Sequence, residues 1–386
     1  MNKGKLLINR IIKLLITGMC IILTVALLSG CTGNVDATKS AGIVPYFSPP
    51  PIPTTQIVNL LGAGSAPFDR LAYQWADDYK TISGVKISYQ PVGAPTALGA
   101  LANGTMNFLV LDSVITADQQ KTAAGANGAI LCIPAAISIM AIAYNLPDLT
   151  QGNLQITGNV LAEIYMGKII NWNDPAIVAL NPGLILPDAK IITVYNDQQS
   201  GSNYIFSDFL VATSQAWETK YGSASWNPPT GSIGGVGDDG SARIISQTPD
   251  SIGYVEFGQI DRFKLTAASV QNANGSFITP TPDSAAKSAV GITIPDNAII
   301  SIADSAQPGA YPIDGFFWIL VYQNQPDNET GKTLANWLWW TINDGQKECQ
   351  ALDYAPLPAS MVTKAEALIS SMQYQGKPLI SSIPGN

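Results

Sequence analysis

Residues 195–206 read "YNDQQSGSNYIF", with Ser200, Gly201 and Ser202 immediately ahead of an amphipathic run. A turn of this kind at a helix start offers hydroxyls and free backbone N–H groups at the positive end of the helix dipole. Negative oxygen atoms suit that place, and so does an ordinary helix cap. Two other stretches offer related chemistry. In "GAGSAPF", Gly62 and Gly64 permit tight backbone geometry, and Ser65 either caps the next helix or turns its hydroxyl toward a ligand. Asp112 ends the apolar run "MNFLVLDS" and supplies a hydrogen-bond acceptor.

Other chemistries fall away. The chain has no histidine, which removes a serine–histidine hydrolase and the common zinc arrangements. No reactive cysteine or activated nucleophile stands out, so an enzyme is not expected, and no metal or cofactor is called for. A carboxylate-only calcium site stays open in principle, although "GDDG", residues 237–240, reads mainly as a turn. Cys132 and Cys349 either form a disulfide or remain as two buried thiols.

The elements that must position these residues alternate along the chain. "IVNLLGAG" reads as a strand running into a glycine turn. "APFDRLAYQWADDYKTI" then spaces Phe68, Leu71, Tyr73, Trp75 and Tyr79 for an apolar helical stripe. "VKISYQPVG" is a second strand, "TALGALANG" a short helix ended by Gly104, and "MNFLVLDS" a third strand. This pattern predicts an α/β protein with a mostly parallel sheet, whose ligands sit beyond the carboxyl ends of strands. "AISIMAIAYNL", residues 136–146, is apolar enough for a buried strand crossing to a second domain. "YPIDGFFWILVYQN" is another, and with the helix "TGKTLANWLWWTIND" it returns to the first.

At 46% hydrophobic and 12% charged residues the chain is made for a packed core rather than disorder. Its first thirty residues combine Lys3, Lys5, Arg10 and Lys13 with the apolar run "LLITGMCIILTVALL" and then "LSGC". The order is that of an exported precursor. It resembles a bacterial lipoprotein signal, in which Cys31 is lipidated and anchors the protein to a membrane. Residues 32–55 are rich in proline and small residues and read as an extended tether. Without residues 1–30 the chain keeps 16 Lys+Arg against 28 Asp+Glu, a net charge of −12. With no basic run, nucleic acid is not an expected partner.

Several motifs in register resemble periplasmic phosphate-binding proteins, the receptors of phosphate ABC importers. "GAGSAPFDRLAYQWADDYK" is similar to the family's opening turn and helix, and "IYMGKIINWNDPAIVALNPGLILP" to a family signature. "SGSNYIFSDFL", "GGVGDDG", "IGYVEF" and "LDYAPLP" follow in the family's order. The resemblance covers roughly residues 57–365. It implies a type II two-lobed binding-protein fold with discontinuous domains joined by crossing segments. On this reading residues 1–30 are signal and 31–55 tether, residues 56–140 and 306–386 form the first lobe, and 141–305 the second. It implies inorganic phosphate as ligand, an ABC permease as partner, and an extracytoplasmic place at the periplasm or cell surface.

Carried over residue by residue, Asp112 falls on the family's proton-accepting aspartate, and Ser200, Gly201 and Ser202 fall on its Ser-Gly-Thr element. Elsewhere the pattern departs. Ala66 stands for a threonine, with Ser65 beside it, and Ala94 for a serine. Asn196 stands for the phosphate-binding arginine, and Gln198 for the aspartate that orients it. A neutral amide recovers less of a dianion's desolvation cost than a guanidinium does. The departures therefore leave two alternatives: a receptor for another small polar solute, or lobes repurposed for assembly at the cell surface without transport.

Overall fold

A computed structural model describes residues 58–125, 128–149, 152–198, 200–223, 226–295, 298 and 300–380. Cys31, the signal-like segment and the whole tether lie outside the described residues. The main sheet is built from β1 (Asn59–Gly64), β2 (Lys86–Pro91), β3 (Phe108–Leu111), β4 (Ile130–Asn145), β5 (Ile192–Asn196), β6 (Ile233–Gly235), β7 (Ser251–Glu256) and β8 (Asp314–Tyr322). Their order is β2-β1-β3-β8-β4-β7-β5-β6, with Thr266–Ala267 also paired to β4.

Strand β1 runs parallel to β2 and β3, and β5 runs parallel to β6 and β7. The centre differs from the mostly parallel sheet that alternation suggests. Strand β8 is antiparallel to both β3 and β4, and β4 is antiparallel to β7. The cause is the sixteen-residue β4, whose first part, Ile130 to Ile139, pairs with β8 and whose remainder, Met140 to Asn145, pairs with β7. One strand thus carries the chain from one parallel group to the other, and β8 brings it back in the opposite sense. The result is the α/β architecture of a two-lobed binding protein. Fourteen of the sixteen β4 residues are buried, which explains why its sequence is a continuous apolar run rather than an alternating one.

The helix Asp69–Ser83 buries Leu71, Trp75 and Tyr79, four residues apart, and ends at Gly84 in the left-handed conformation. Tyr73, expected on that stripe, is exposed instead, because two residues carry it about 200° around the helix from Leu71. Phe68, just ahead of this helix, is enclosed by Trp75, Tyr89 and Phe317. Phe68 therefore ties the turn after β1 to the returning strand β8.

The disulfide does not form: Cys132 and Cys349 are buried free thiols. Cys132 sits in β4 opposite Leu320 of β8, and Cys349 joins the short 3-10 turns Asp344–Glu348 and Gln350–Leu352. Each is seated in the packing of its own element. Burial pushes both thiols up to about 12, so neither is poised as a thiolate.

Candidate functional site

The carboxyl end of β1 and the end of β3 meet through close backbone contact. Gly64 has φ +141°, and a Cβ built on it would stand 2.0 Å from the Val110 carbonyl oxygen. Only glycine allows this approach. The next residue, Ser65, donates its N–H to the same carbonyl at 3.0 Å. Although Ser65 precedes the 3-10 turn Ala66–Phe68, its side chain does not cap that turn. It donates instead to Oδ2 of Asp112 at 2.7 Å. The Tyr89 hydroxyl holds the Ser65 carbonyl at 2.8 Å and so fixes the turn.

On the other side, β5 ends at Asn196 and the helix Gly201–Thr213 begins after Ser200. Ser200 is extended, and its Oγ accepts the Asn203 N–H, which makes it the N-cap. Asn196 is buried and closes the loop: its Nδ2 donates to Ser200 Oγ at 3.1 Å, and its Oδ1 accepts the Gln198 N–H at 3.0 Å. Asn203 spans the same loop with bonds to the carbonyls of Asn196 and Gln198, and Tyr254 donates to Asn203 Oδ1 at 2.7 Å. The amide at the arginine position therefore shapes the loop.

These two sides are joined by Asp112. Its buried carboxylate receives the Ser65 hydroxyl, its own N–H and the Gly201 N–H. A Cβ on Gly201 would stand 1.9 Å from Asp112 Cγ, so the carboxylate rests directly on the helix start. The site thus holds an internal anion at the very helix end that the sequence marks for one. Burial raises the Asp112 pKa, and these neutral donors oppose the rise.

Ser202 is fully buried and donates to Oδ2 of Asp238 at 2.8 Å. Asp238 belongs to the helix Gly237–Gln247, so "GDDG" is a helix start rather than the expected turn. Burial, moderated by Ser202 and raised further by Asp112, pushes Asp238 up to about 6. Behind it lies Glu256, which ends β7 and accepts the Ser138 hydroxyl of β4. Burial and the Asp238 charge push Glu256 well above the usual carboxylate range.

Ser65, Asp112, Ser200, Gly201 and Ser202 are thus gathered at one point, with Asn196 one hydrogen bond behind them. Ala66 follows Ser65 and lines a cavity of about 370 Å³ beside the site. Gln198 is exposed and outside the cluster; its backbone, not its side chain, contributes to the loop. Reasoning from the sequence missed Asp238 and Glu256. The signal for Asp238 was present: Asp238, Ser241, Ala242 and Ile245 follow helical spacing and share one buried face. Three arginines bear on the question of a replacement cation. Arg70 pairs with Asp353 at 3.4 Å, Arg262 with Asp239 at 2.8 Å, and Arg243 lies over the Phe263 ring.

A fold in which two parallel groups share a crossing strand, with an anion-type site between them, defines a class of substrate-binding proteins. In agreement, the PBP superfamily domain matches residues 49–340. The phosphate-binding protein PstS of Xylella fastidiosa strain Temecula1 is 32% identical over 354 residues, covering 90% of this chain and 95% of that protein. PstS of Methanocaldococcus jannaschii is 31% identical over 365 residues, covering 89% and 91%. Among solved structures, the phosphate-bound high-affinity periplasmic phosphate-binding protein PfluDING superposes with a TM-score of 0.64. It is 17% identical, with 80% of this chain and 93% of that chain covered. The phosphate-binding protein from Stenotrophomonas maltophilia gives 0.62 at 18% identity over the same shares. The chain belongs to the phosphate-binding protein family of the PBP superfamily. It is accordingly an extracytoplasmic, phosphate-binding-protein-like receptor and not an enzyme.

Proposed function

We propose that the chain binds an inorganic phosphate-type oxyanion between Asp112, Ser65 and the Ser200–Ser202 helix start, and delivers it to an ABC permease. The observation that carries this reading is the Asp112 carboxylate held between the Ser65 hydroxyl and the Gly201 N–H. Donors for an oxyanion and an acceptor for its proton stand at one place. When the lobes part, Asp112 leaves the helix start and an entering oxyanion takes over the Gly201 N–H. Hydrogen phosphate then offers its O–H to Asp112. Sulfate has no such proton and sets one acceptor against another, which costs about 1–3 kcal/mol.

The partner switch of β4 between Ile139 and Met140 supports lobes of 56–140 with 306–386 and of 141–305. The basic, apolar and "LSGC" order supports lipidation at Cys31, which holds the receptor at the cell envelope. Cys31→Ala then shifts the protein from membrane to soluble fractions; retention in the membrane fraction means another anchor.

Calorimetric titration of the purified protein tests the ligand. Phosphate binds and sulfate does not, and Asp112→Asn narrows the gap between them by about tenfold. Absence of phosphate binding, or an unchanged ratio in Asp112→Asn, overturns the assignment.

A further inference from the structure

Of the serine hydroxyls gathered at the oxyanion site, Ser65 and Ser202 have their protons engaged. Ser65 donates to Asp112, and Ser202 donates to Asp238. Ser200 differs. Its Oγ accepts from two sides, and among the described residues none takes its O–H.

The direction of each of these bonds is set by groups that cannot be reversed. The Gln198 backbone N–H only donates, so the Asn196 atom facing it at 3.0 Å is Oδ1. Asn196 Nδ2 then lies against Ser200 Oγ at 3.1 Å, and an amide nitrogen also only donates. From the helix side the Asn203 backbone N–H reaches the same Oγ at 3.4 Å. A hydroxyl has two lone pairs and one hydrogen. Both lone pairs of Ser200 are engaged within the loop, and its hydrogen is what remains for a ligand.

A second amide holds this polarity in place. Asn203 Nδ2 donates to the carbonyls of Asn196 and Gln198, which only accept, so its Oδ1 faces the Tyr254 hydroxyl at 2.7 Å. Tyr254 is buried and stacked on Phe206, with ring centroids 4.1 Å apart. The loop is therefore fixed both from its own backbone and from the core of the second parallel group.

We propose that Asn196 is a positioning residue for the oxyanion site: by donating to Ser200 Oγ, it makes that hydroxyl an obligate donor toward the ligand. This rests on the oxyanion reading above and deepens it, because it fixes how the ligand lies. A bare ligand oxygen meets Ser200, and the oxygen that carries the proton meets Asp112. The amide brings no charge to the ligand; it sets the polarity of the group that touches it.

A double-substitution cycle tests this by calorimetric titration with inorganic phosphate, with urea midpoints measured alongside. Asn196→Asp keeps an oxygen for the Gln198 N–H but sets an acceptor against Ser200, so the hydroxyl turns inward. The affinity lost on Asn196→Asp should be at least about fivefold greater with Ser200 present than in the Ser200→Ala background, where only the added charge acts. Ser200→Ala alone should weaken phosphate binding about tenfold. Equal losses from Asn196→Asp in the two backgrounds overturn the positioning role, because a residue that merely holds the loop shifts the midpoint without that coupling. An unchanged affinity in Ser200→Ala overturns it as well, and needs no substitution at Asn196. In either case the oxyanion reading stands as long as the wild-type protein binds phosphate. If the wild type binds none, the oxyanion reading fails and the role of Asn196 with it.

Discussion

At the scale of single residues, the site depends on Gly201 having no side chain. Asp112 Cγ occupies the place of its Cβ, and the Gly201 N–H bonds the carboxylate. Gly201→Ala therefore drives Asp112 off the helix start. The expected loss is about 1–3 kcal/mol of stability together with weaker phosphate binding, read from urea midpoints and calorimetry. An unchanged midpoint would show that Asp112 does not rest there in solution. The sequence made Asp112, Ser65 and Ser200–Ser202 legible because each lies where a strand or turn hands over to a helix. It left their orientation open. Ser65 was equally a cap or a ligand donor, and only the register of β1 with β3 aims it at Asp112. Asn196 is the reverse case: its identity signals a lost guanidinium, whereas its role in closing the loop depends on Ser200 and Gln198 being near.

Elements were easier to read than their partners. The strands ending at Gly64 and Leu111 and the helix Asp69–Ser83 follow from apolar runs, turn residues and four-residue spacing. The long apolar runs in β4 and β8 likewise announce burial on both faces. They do not announce direction, because a strand buried on both sides has the same composition in parallel and antiparallel sheets. The antiparallel centre was for that reason not legible. It matters for the site, since Ser138 in the first part of β4 reaches Glu256 at the end of β7. The crossing strand is thus tied by a side chain to the second parallel group, close to the carboxyls that back the oxyanion site.

Over the whole molecule, a chain rich in acids buries several of them together. Asp112, Asp238 and Glu256 come from separate segments, and burial raises all three, with mutual repulsion adding to Asp238 and Glu256. For Asp238 the window is set by its ordinary value of 3.8 and its folded value of about 6. In that window the folded protein holds a proton that the unfolded chain releases. The resulting stability is full below 3.8 and is lost as pH rises through about 6. Acidification from about pH 7.5 to pH 5 should raise the melting temperature, with Asp238 contributing about 1.4 kcal/mol. Asp238→Asn, which has no titrating group, should show a distinctly flatter profile by calorimetry. Matching profiles would mean that Asp238 is solvated.

What the sequence determined by itself was the alternation of elements, the family, and the residue types that can meet an oxyanion. Local spacing and turn chemistry act over a few residues, so they leave a trace in a linear string. The tertiary structure decided the rest: the free state of Cys132 and Cys349, the antiparallel crossing, the pairing of Arg70 and Arg262, and the gathering of Asp112, Asp238 and Glu256. Each of these depends on segments tens to hundreds of residues apart. Whether a carboxylate there meets water, a hydroxyl or another carboxylate is set by packing, and no local pattern encodes it.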